Sequence, residues 1–434
     1  MASSASVPAV DRPARLSVRR NFLWVLGGNT AYAGSQWLML ILLTKLAPPE
    51  LVGQFALSLA LTGPIILFAN LQLRSVQATD ATGEYSFADY FTLRLTSVGL
   101  AVIGILCLAL FGGYHAAVRN VIFALGMARA AECLSEIYFG LFQREERMDL
   151  IARSLLLKAV LSLAAFAVAI VLTGSLVTAI WALFVAWTVV LVGFDIRVGR
   201  RFAMGRFRIQ WFAADRRWLR LGWIALPLGA AAMLKAMEHS LPRYFIERQT
   251  GERELGLFAA GAYLTVVGVQ FVTALSLAAG PRLAVLHAKG ERREFLQLMF
   301  KLLGGCLVIG LTGLAGAALI GQEVLGLLYT REYAQHHNVL TWLMAAAVFN
   351  YIYVPLGTSL NGLRVFRFRL PVHLLALSLL AAACLTLGRS HGLMGIAWAV
   401  GLAELFTAGV YGCVLIYHLR RWSNRVSQGE ASVC

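Results

Sequence analysis

Long apolar runs recur along nearly the whole chain, most of them eighteen residues or more, and no other feature limits the fold as severely. Coiled as a helix, a run of that length crosses roughly 30 Å of hydrocarbon. Lipid offers no water to the backbone, so each run has to close its own hydrogen bonds as a helix. Twelve spans follow, at residues 22–46, 51–73, 88–111, 116–142, 150–172, 179–194, 221–246, 256–280, 295–320, 339–360, 370–387 and 392–417. The sixth and eleventh are the shortest. The 434 residues are 59% hydrophobic and 14% charged, against roughly 45–50% and roughly 25% in soluble domains. The expected fold is all-α and polytopic, not a string of soluble domains.

The formal charge of +16 does not point to nucleic acid, because the basic residues lie in short stretches between apolar runs and form no single soluble face. They set orientation instead. With the N-terminus in the cytoplasm, the segments on that side hold 26 Lys and Arg, the opposite side 7, and the spans five. Cytoplasmic loops carry just such an excess. Trp24, Trp211, Trp218, Trp223 and Trp422 flank the cytoplasmic ends, where indoles favour the headgroup layer, while Trp37 and Trp187 fall mid-span and read as packing residues. The chain is expected in a bacterial inner membrane with both termini cytoplasmic. Residues 1–20 read as a disordered basic tail. The first span is too long for a signal-peptide core and lacks a small-x-small cleavage site, so it reads as an uncleaved signal anchor. Six scattered cysteines (Cys107, Cys133, Cys306, Cys384, Cys413, Cys434) contain no CxxC and read as packing residues, with no disulfide framework and no metal site.

The basic stretch 195–220 divides the chain into six-span halves, 21–194 and 221–418, followed by a C-tail, 419–434. Its Arg, Phe, Ile and Trp spacing suits either an interfacial amphipathic helix or a solvated linker that enforces topology. The halves share a motif. Glu50-Leu-Val-Gly53-Gln-Phe55-Ala56 opens the second span and Glu254-Leu-Gly256-Leu-Phe258-Ala259 the eighth, 203 residues apart at the Gly-x-Phe-Ala core. Each half has six spans, so both begin on the same side. The repeat is parallel, with its axis along the membrane normal and a substrate site expected between the halves.

Two stretches carry a resemblance to a known family. They are Asn21-Phe-Leu-Trp24 … Gln36 … Leu46-Ala-Pro-Pro-Glu50-Leu-Val-Gly53-Gln-Phe55 and Pro242-Arg243-Tyr244 … Glu254-Leu-Gly256-Leu-Phe258-Ala-Ala … Pro281-Arg282-Leu283. The chain resembles bacterial polysaccharide and lipid-linked-oligosaccharide flippases, of the superfamily that also holds multidrug and toxin extrusion transporters and the peptidoglycan-precursor flippase. The likeness is strongest over spans 1–3 and 7–9. It implies two six-helix bundles around a central cavity, alternating access, and an undecaprenyl-pyrophosphate-linked sugar as cargo.

A pyrophosphate crossing hydrocarbon needs buried cations, and Arg suits it with a planar, permanently charged fork. Ionisable groups within spans are unfavourable there and read first as functional. Arg129, Glu132, Cys133 and Glu136 share one face of the fourth span. Either Arg129 faces substrate, or Arg129 and Glu132 neutralise each other between helices. Lys235, Glu238 and His239 repeat the pattern in the seventh span, ahead of Pro242 and Arg243, with a Lys235–Glu238 pair as the structural alternative. Pro227 and Gly229 are placed to bend that helix. Asn29, Tyr32 and Gln36 line one face of the first span beside Gly27, Gly28 and Gly34. Small-residue packing explains the stripe; otherwise Asn29 and Gln36 contact sugar hydroxyls. Arg74 ends the second span beside Asn70 and Gln72, placed to catch an entering pyrophosphate. Arg94, Lys158 and Lys301 lie within about three turns of cytoplasmic ends and read as snorkelling, with substrate contact the other reading for Arg94. Glu404 stands alone in the twelfth span as a packing residue or, with Glu132, Glu136, Glu238 and His239, as part of a coupling set. Gln270 and Asn350 read as interhelical hydrogen-bonders.

No HExxH, P-loop, GxSxG or paired-carboxylate catalytic pattern occurs. The expectation is a transporter rather than an enzyme, without cofactor or metal, driven by an ion gradient, the membrane potential or mass action. H+ or Na+ is the expected coupling ion, and a polysaccharide polymerase and the bilayer the expected partners. Two other readings stand beside it. A cation-coupled multidrug exporter would favour an acidic cavity, whereas the spans hold five basic and four acidic residues. A membrane polymerase or ligase would need a long periplasmic loop, and none exceeds about eighteen residues.

Overall fold

The computed structural model describes residues 18–80, 84–202, 217–365 and 368–427. Its elements are α1 (Val18–Leu46), α2 (Pro49–Asn70), α3 (Leu73–Thr79), α4 (Phe87–Phe111), α5 (Ala116–Arg144), α6 (Met148–Thr173) and α7 (Leu176–Val190). α7 runs through a π-helical stretch, Leu191–Ile196, into α8 (Arg197–Phe202). The second half holds α9 (Arg217–Thr250), α10 (Glu252–Ala288), α11 (Arg292–Leu328), α12 (Arg331–Ala334), α13 (His337–Gly362) and α14 (Arg369–Ser427). Among the described residues nine helices are long and apolar enough to cross a membrane. α1 and α5, 29 residues each, are long enough to cross as well. α14 is two helices joined at Gly392, whose φ of 56° and ψ of −135° only glycine adopts without strain. Twelve crossings result.

Local chemistry marks the ends. Pro48 and Pro49 open α2, where a missing N–H is no loss. Ser86 and Asp89 form a reciprocal capping box at the start of α4. α2 stops earlier than the apolar run predicts: Leu71 and Gln72 turn left-handed (φ 46° and 50°) and place Arg74 on the separate helix α3. The sixth span, predicted to end at residue 194, continues to Phe202. The predicted linker 195–220 is therefore helical at both ends, and its remainder lies outside the described residues, as do the N-tail through residue 17 and the chain from 428. Cys107 and Cys413 are exposed and are not packing residues; Cys133, Cys306 and Cys384 are buried.

Each half packs mainly on itself, α1 on α6, α5 on α4 and α7, and α13 on α10, α11 and α14. These are two six-helix bundles, and they meet where α2 lies against α9 and α10. The repeat motif forms the joint. A Cβ on Gly53 would stand 1.8 Å from the Glu252 carbonyl oxygen, and one on Gly256 would stand 2.1 Å from the Pro49 carbonyl oxygen. Residues 49 and 252 keep the same 203-residue offset as Gly53 and Gly256. The contact is therefore self-complementary, as at a two-fold axis. α2 and α10 both start at this end of the molecule, so the axis lies along the helices, as a parallel repeat requires.

Polar contacts close the same end. Gln54 donates to Glu252 at 2.8 Å, the His115 ring nitrogen is 2.6 Å from its other oxygen, and Arg253 lies 3.9 Å from Glu50. Away from that end the symmetry breaks. α2 packs along α9, whereas its repeat-equivalent α10 touches α1 at few points. Leu23 and Leu26 of α1 and Val267, Phe271 and Leu275 of α10 are left exposed.

Candidate functional site

α5 supplies the polar wall of the first half. Its helical spacing puts Arg129, Glu132 and Glu136 on one face, and the fold keeps them only partly buried. Arg129 donates to Glu132 at 2.7 Å, with the side chains 30% and 21% exposed. The Tyr32 hydroxyl, from α1, donates to the same carboxylate, and the Arg129 guanidinium lies 5.8 Å from the Trp187 ring centre. Arg74 reaches Glu136 at 3.3 Å and Gln143 at 3.2 Å from its separate helix. Tyr32 thus ties the polar stripe of α1 to that wall, while Asn29, on the same stripe, is exposed and donates within its own helix to the Val25 carbonyl at 2.8 Å. Gln36 is half-buried, its amide nitrogen without a hydrogen-bond partner among the described residues.

The second half encloses a cavity of about 460 Å³ between α9, α10, α13 and α14. Lys235, Glu238, His239, Arg243 and Glu404 all line it. The Lys235–Glu238 pair, one of the two readings left open, does not form. Glu238 instead meets His373 Nδ1 at 2.8 Å, and the Tyr411 hydroxyl is 3.2 Å from the other ring nitrogen. Lys235 donates to the Tyr353 hydroxyl at 3.2 Å and lies 4.7 Å from that ring's centre. Glu404, a lone charge in the sequence, accepts from Asn350 at 3.1 Å. Gln270 is exposed and takes no interhelical role.

Tyr263 of α10 brings the walls together. The Arg243 guanidinium lies 5.8 Å from its ring centre, and the same tyrosine packs against the apolar core of the first half. A cation of the second bundle thus rests on a ring that reaches the first.

Two expected positions are corrected. Arg94 neither snorkels nor lines an open wall: it is 1% exposed and donates to Asn70 and, at 3.1 Å, to Cys133 Sγ. A guanidinium that points into the bundle finds its partners there, on α2 and α5. Lys158 does not snorkel either. It is 1% exposed and 3.9 Å from Asp195, itself fully buried; Lys301 is exposed, as expected. Asp195, His373, Tyr263, Tyr353 and Tyr411 escaped the sequence reading. His373 had a signal, since it is an ionisable residue inside the eleventh apolar run. Asp195 had a weaker one: it follows buried Leu191 by four residues, but the span seemed to have ended.

A family model described as polysaccharide biosynthesis protein matches residues 18–287, more than half of the chain. The chain belongs to the polysaccharide biosynthesis protein family. It is thus a multi-pass membrane protein of polysaccharide biosynthesis. It is 24% identical over 390 residues to the capsular polysaccharide biosynthesis protein CapF of Staphylococcus aureus, covering 89% of this chain and 96% of that one. Among solved structures, a multidrug resistance MATE family transporter of the MOP superfamily in an inward-facing conformation superposes with a TM-score of 0.74. Its sequence is 14% identical, and the match covers 91% of this chain and 95% of that one. The lipid II flippase MurJ in an inward closed conformation gives 0.71 at 10% identity, over 92% and 87%. This family member therefore has the fold of transporters and a flippase.

Proposed function

We propose that the protein moves a polyprenyl-pyrophosphate-linked oligosaccharide from the cytoplasmic to the periplasmic leaflet by alternating access, for surface polysaccharide assembly, without catalysing a reaction. One observation carries the reading: Lys235 and Arg243 line the second-half cavity, Arg243 on Tyr263, which also packs against the first bundle, and that bundle presents partly exposed Arg129. Cationic groups within the spans suit a pyrophosphate. Arg74 and Arg129 hold the first-half wall, and Asn29 and Gln36 extend it along α1 toward a glycan. Among the cavity carboxylates, Glu238 and Glu404 are engaged by His373 and Asn350. Lys235 and Arg243 rest on aromatic faces, which leaves their charge for an anion. That arrangement disfavours a cationic drug as cargo.

The sealed Gly53–Gly256 end is the periplasmic side when the charge bias of the loops is applied. The parted α1–α10 seam then opens toward the cytoplasmic leaflet and lets a lipid tail stay in the bilayer while its headgroup enters. Reporter tags after residues 205 and 427 are expected to register cytoplasm, and a tag at Gly251 periplasm; a periplasmic signal after residue 205 would reverse the assignment. The function is tested by expressing the gene in a bacterium lacking its own polysaccharide flippase. Surface polysaccharide is expected to return, and lipid-linked glycan to stop accumulating on the cytoplasmic face. Drug resistance without restored polysaccharide would favour the exporter reading.

A further inference from the structure

Two of the most deeply buried charges of the first bundle have no role in the walls described so far. Lys158 of α6 and Asp195 of the π-helical stretch are 1% and 0% exposed and stand 3.9 Å apart, beyond hydrogen-bond reach. Among the described residues neither Lys158 Nζ nor either Asp195 oxygen has a hydrogen-bond partner, and the buried hydroxyls of Ser135 and Ser154 have none. Both serines face the same carboxylate. Tyr138 stands beside Asp195 with Arg200 near that tyrosine, and the Lys158 ammonium is 5.0 Å from the Phe139 ring centre. A buried pair that served only as a tie would need good hydrogen bonds to offset its lost hydration. In this one the ammonium has no hydrogen-bond partner among the described residues, and the two serines approach the carboxylate without ideal hydrogen-bond geometry, on a π-helical turn, a feature common at functional sites.

The pair also borders the cavity wall. The Phe139 ring centre lies 5.0 Å from the Lys158 ammonium and 5.5 Å from the Arg74 guanidinium, and the wall carboxylates Glu132 and Glu136 hold Arg129 and Arg74. Three cations (Arg74, Arg129, Lys158) thus face three carboxylates (Glu132, Glu136, Asp195). An anionic cargo that takes over the two arginines leaves three carboxylates around Lys158 alone, in surroundings where water screens poorly. Proton uptake relieves that imbalance.

We propose that Lys158, Asp195, Ser135 and Ser154 form a proton-binding site that compensates charge when a pyrophosphate-bearing cargo occupies Arg129 and Arg74. The inference rests on the function proposed above. The Asp195 carboxylate takes one proton from solvent and becomes a carboxylic acid, Lys158 stays an ammonium, and the proton leaves when the cargo does. By linkage, anion and proton each strengthen the binding of the other.

The test is calorimetric titration of the intact protein, in lipid nanodiscs, with inorganic pyrophosphate in buffers of different ionisation enthalpy. Parental protein is compared with Lys158→Met/Asp195→Asn, which removes both buried charges together and leaves no stranded ion. The parental protein is expected to take up about one proton more per pyrophosphate than the variant. Equal proton uptake at equal pyrophosphate binding would overturn the proposal and leave the cavity reading intact. No pyrophosphate binding by the parental protein would overturn both. If the variant fails to fold, infrared difference spectra of parental protein with 13C-labelled aspartate decide. A carboxylic-acid band that appears with pyrophosphate and shifts with the label supports the site, and its absence rejects it.

Discussion

Gly53→Val is expected to abolish polysaccharide export while the protein still reaches the membrane. A Cβ at that position would stand 1.8 Å from the Glu252 carbonyl oxygen. The obstacle is backbone, not the end of a flexible side chain, so the two helices have to part. Overpacking of this kind costs about 1–3 kcal/mol. Two conformations of a transporter differ by only a few kcal/mol, so the cost falls on the sealed-end state and shifts the population about tenfold or more. Gly256→Val meets the Pro49 carbonyl at 2.1 Å and should act alike. Both changes strike one joint, so combining them should add little to either alone. Glu50 and Arg253, 3.9 Å apart across the joint, provide the measurement. Thiols introduced by Glu50→Cys and Arg253→Cys should be joined by a bifunctional thiol reagent that spans the two replaced side chains in the parental background, and less so once Gly53→Val is added. Normal cross-linking and export in Gly53→Val would show that the joint does not have to close.

The second large effect separates cargo binding from charge pairing, and it differs between the halves. Arg129→Ala alone leaves Glu132 with only the Tyr32 hydroxyl and should lower protein yield. Removing one member of a fully buried pair costs about 3–5 kcal/mol, and the partial exposure of this pair softens that. Adding Glu132→Ala should restore yield but not export. Lys235→Ala strands nothing, because Glu238 already has His373. That single change should keep parental yield and still abolish export. Each lost charge-assisted bond to pyrophosphate removes about 1.5–3 kcal/mol, or about a tenfold to hundredfold loss of cargo occupancy. Full export in both Arg129→Ala/Glu132→Ala and Lys235→Ala, at parental protein levels, would take these residues out of the mechanism.

Much of the architecture was legible in the residue order. Helix-length apolar runs gave the twelve crossings, and the Gly-x-Phe-Ala repeat announced the joint between halves. The sequence reading went wrong where local signals ran out. A π-helical turn has no compositional mark, so the sixth span seemed to end at residue 194 and Asp195 was assigned to the linker. The left-handed turn at Leu71 and Gln72 was invisible within an apolar run, and it decides which wall Arg74 serves. Among the candidate residues, charges spaced three apart on one helix left two readings open, substrate contact or a mutual pair. Arg129 and Glu132 do pair; Lys235 and Glu238 do not, because His373 from α14 competes for the carboxylate.

The sequence by itself determined that this chain is a bundle of membrane-spanning helices in two parallel halves, because backbone hydrogen bonds and hydrocarbon thickness admit no other use of such runs. It also determined which helices carry charge. Only the tertiary structure decided what each charge meets: Lys158 with Asp195, Glu238 with His373, Arg129 by Trp187 and Arg243 by Tyr263. Partners on different helices are brought together by the way whole bundles pack. That packing depends on the shapes of many apolar side chains at once, and no local pattern along the chain encodes it.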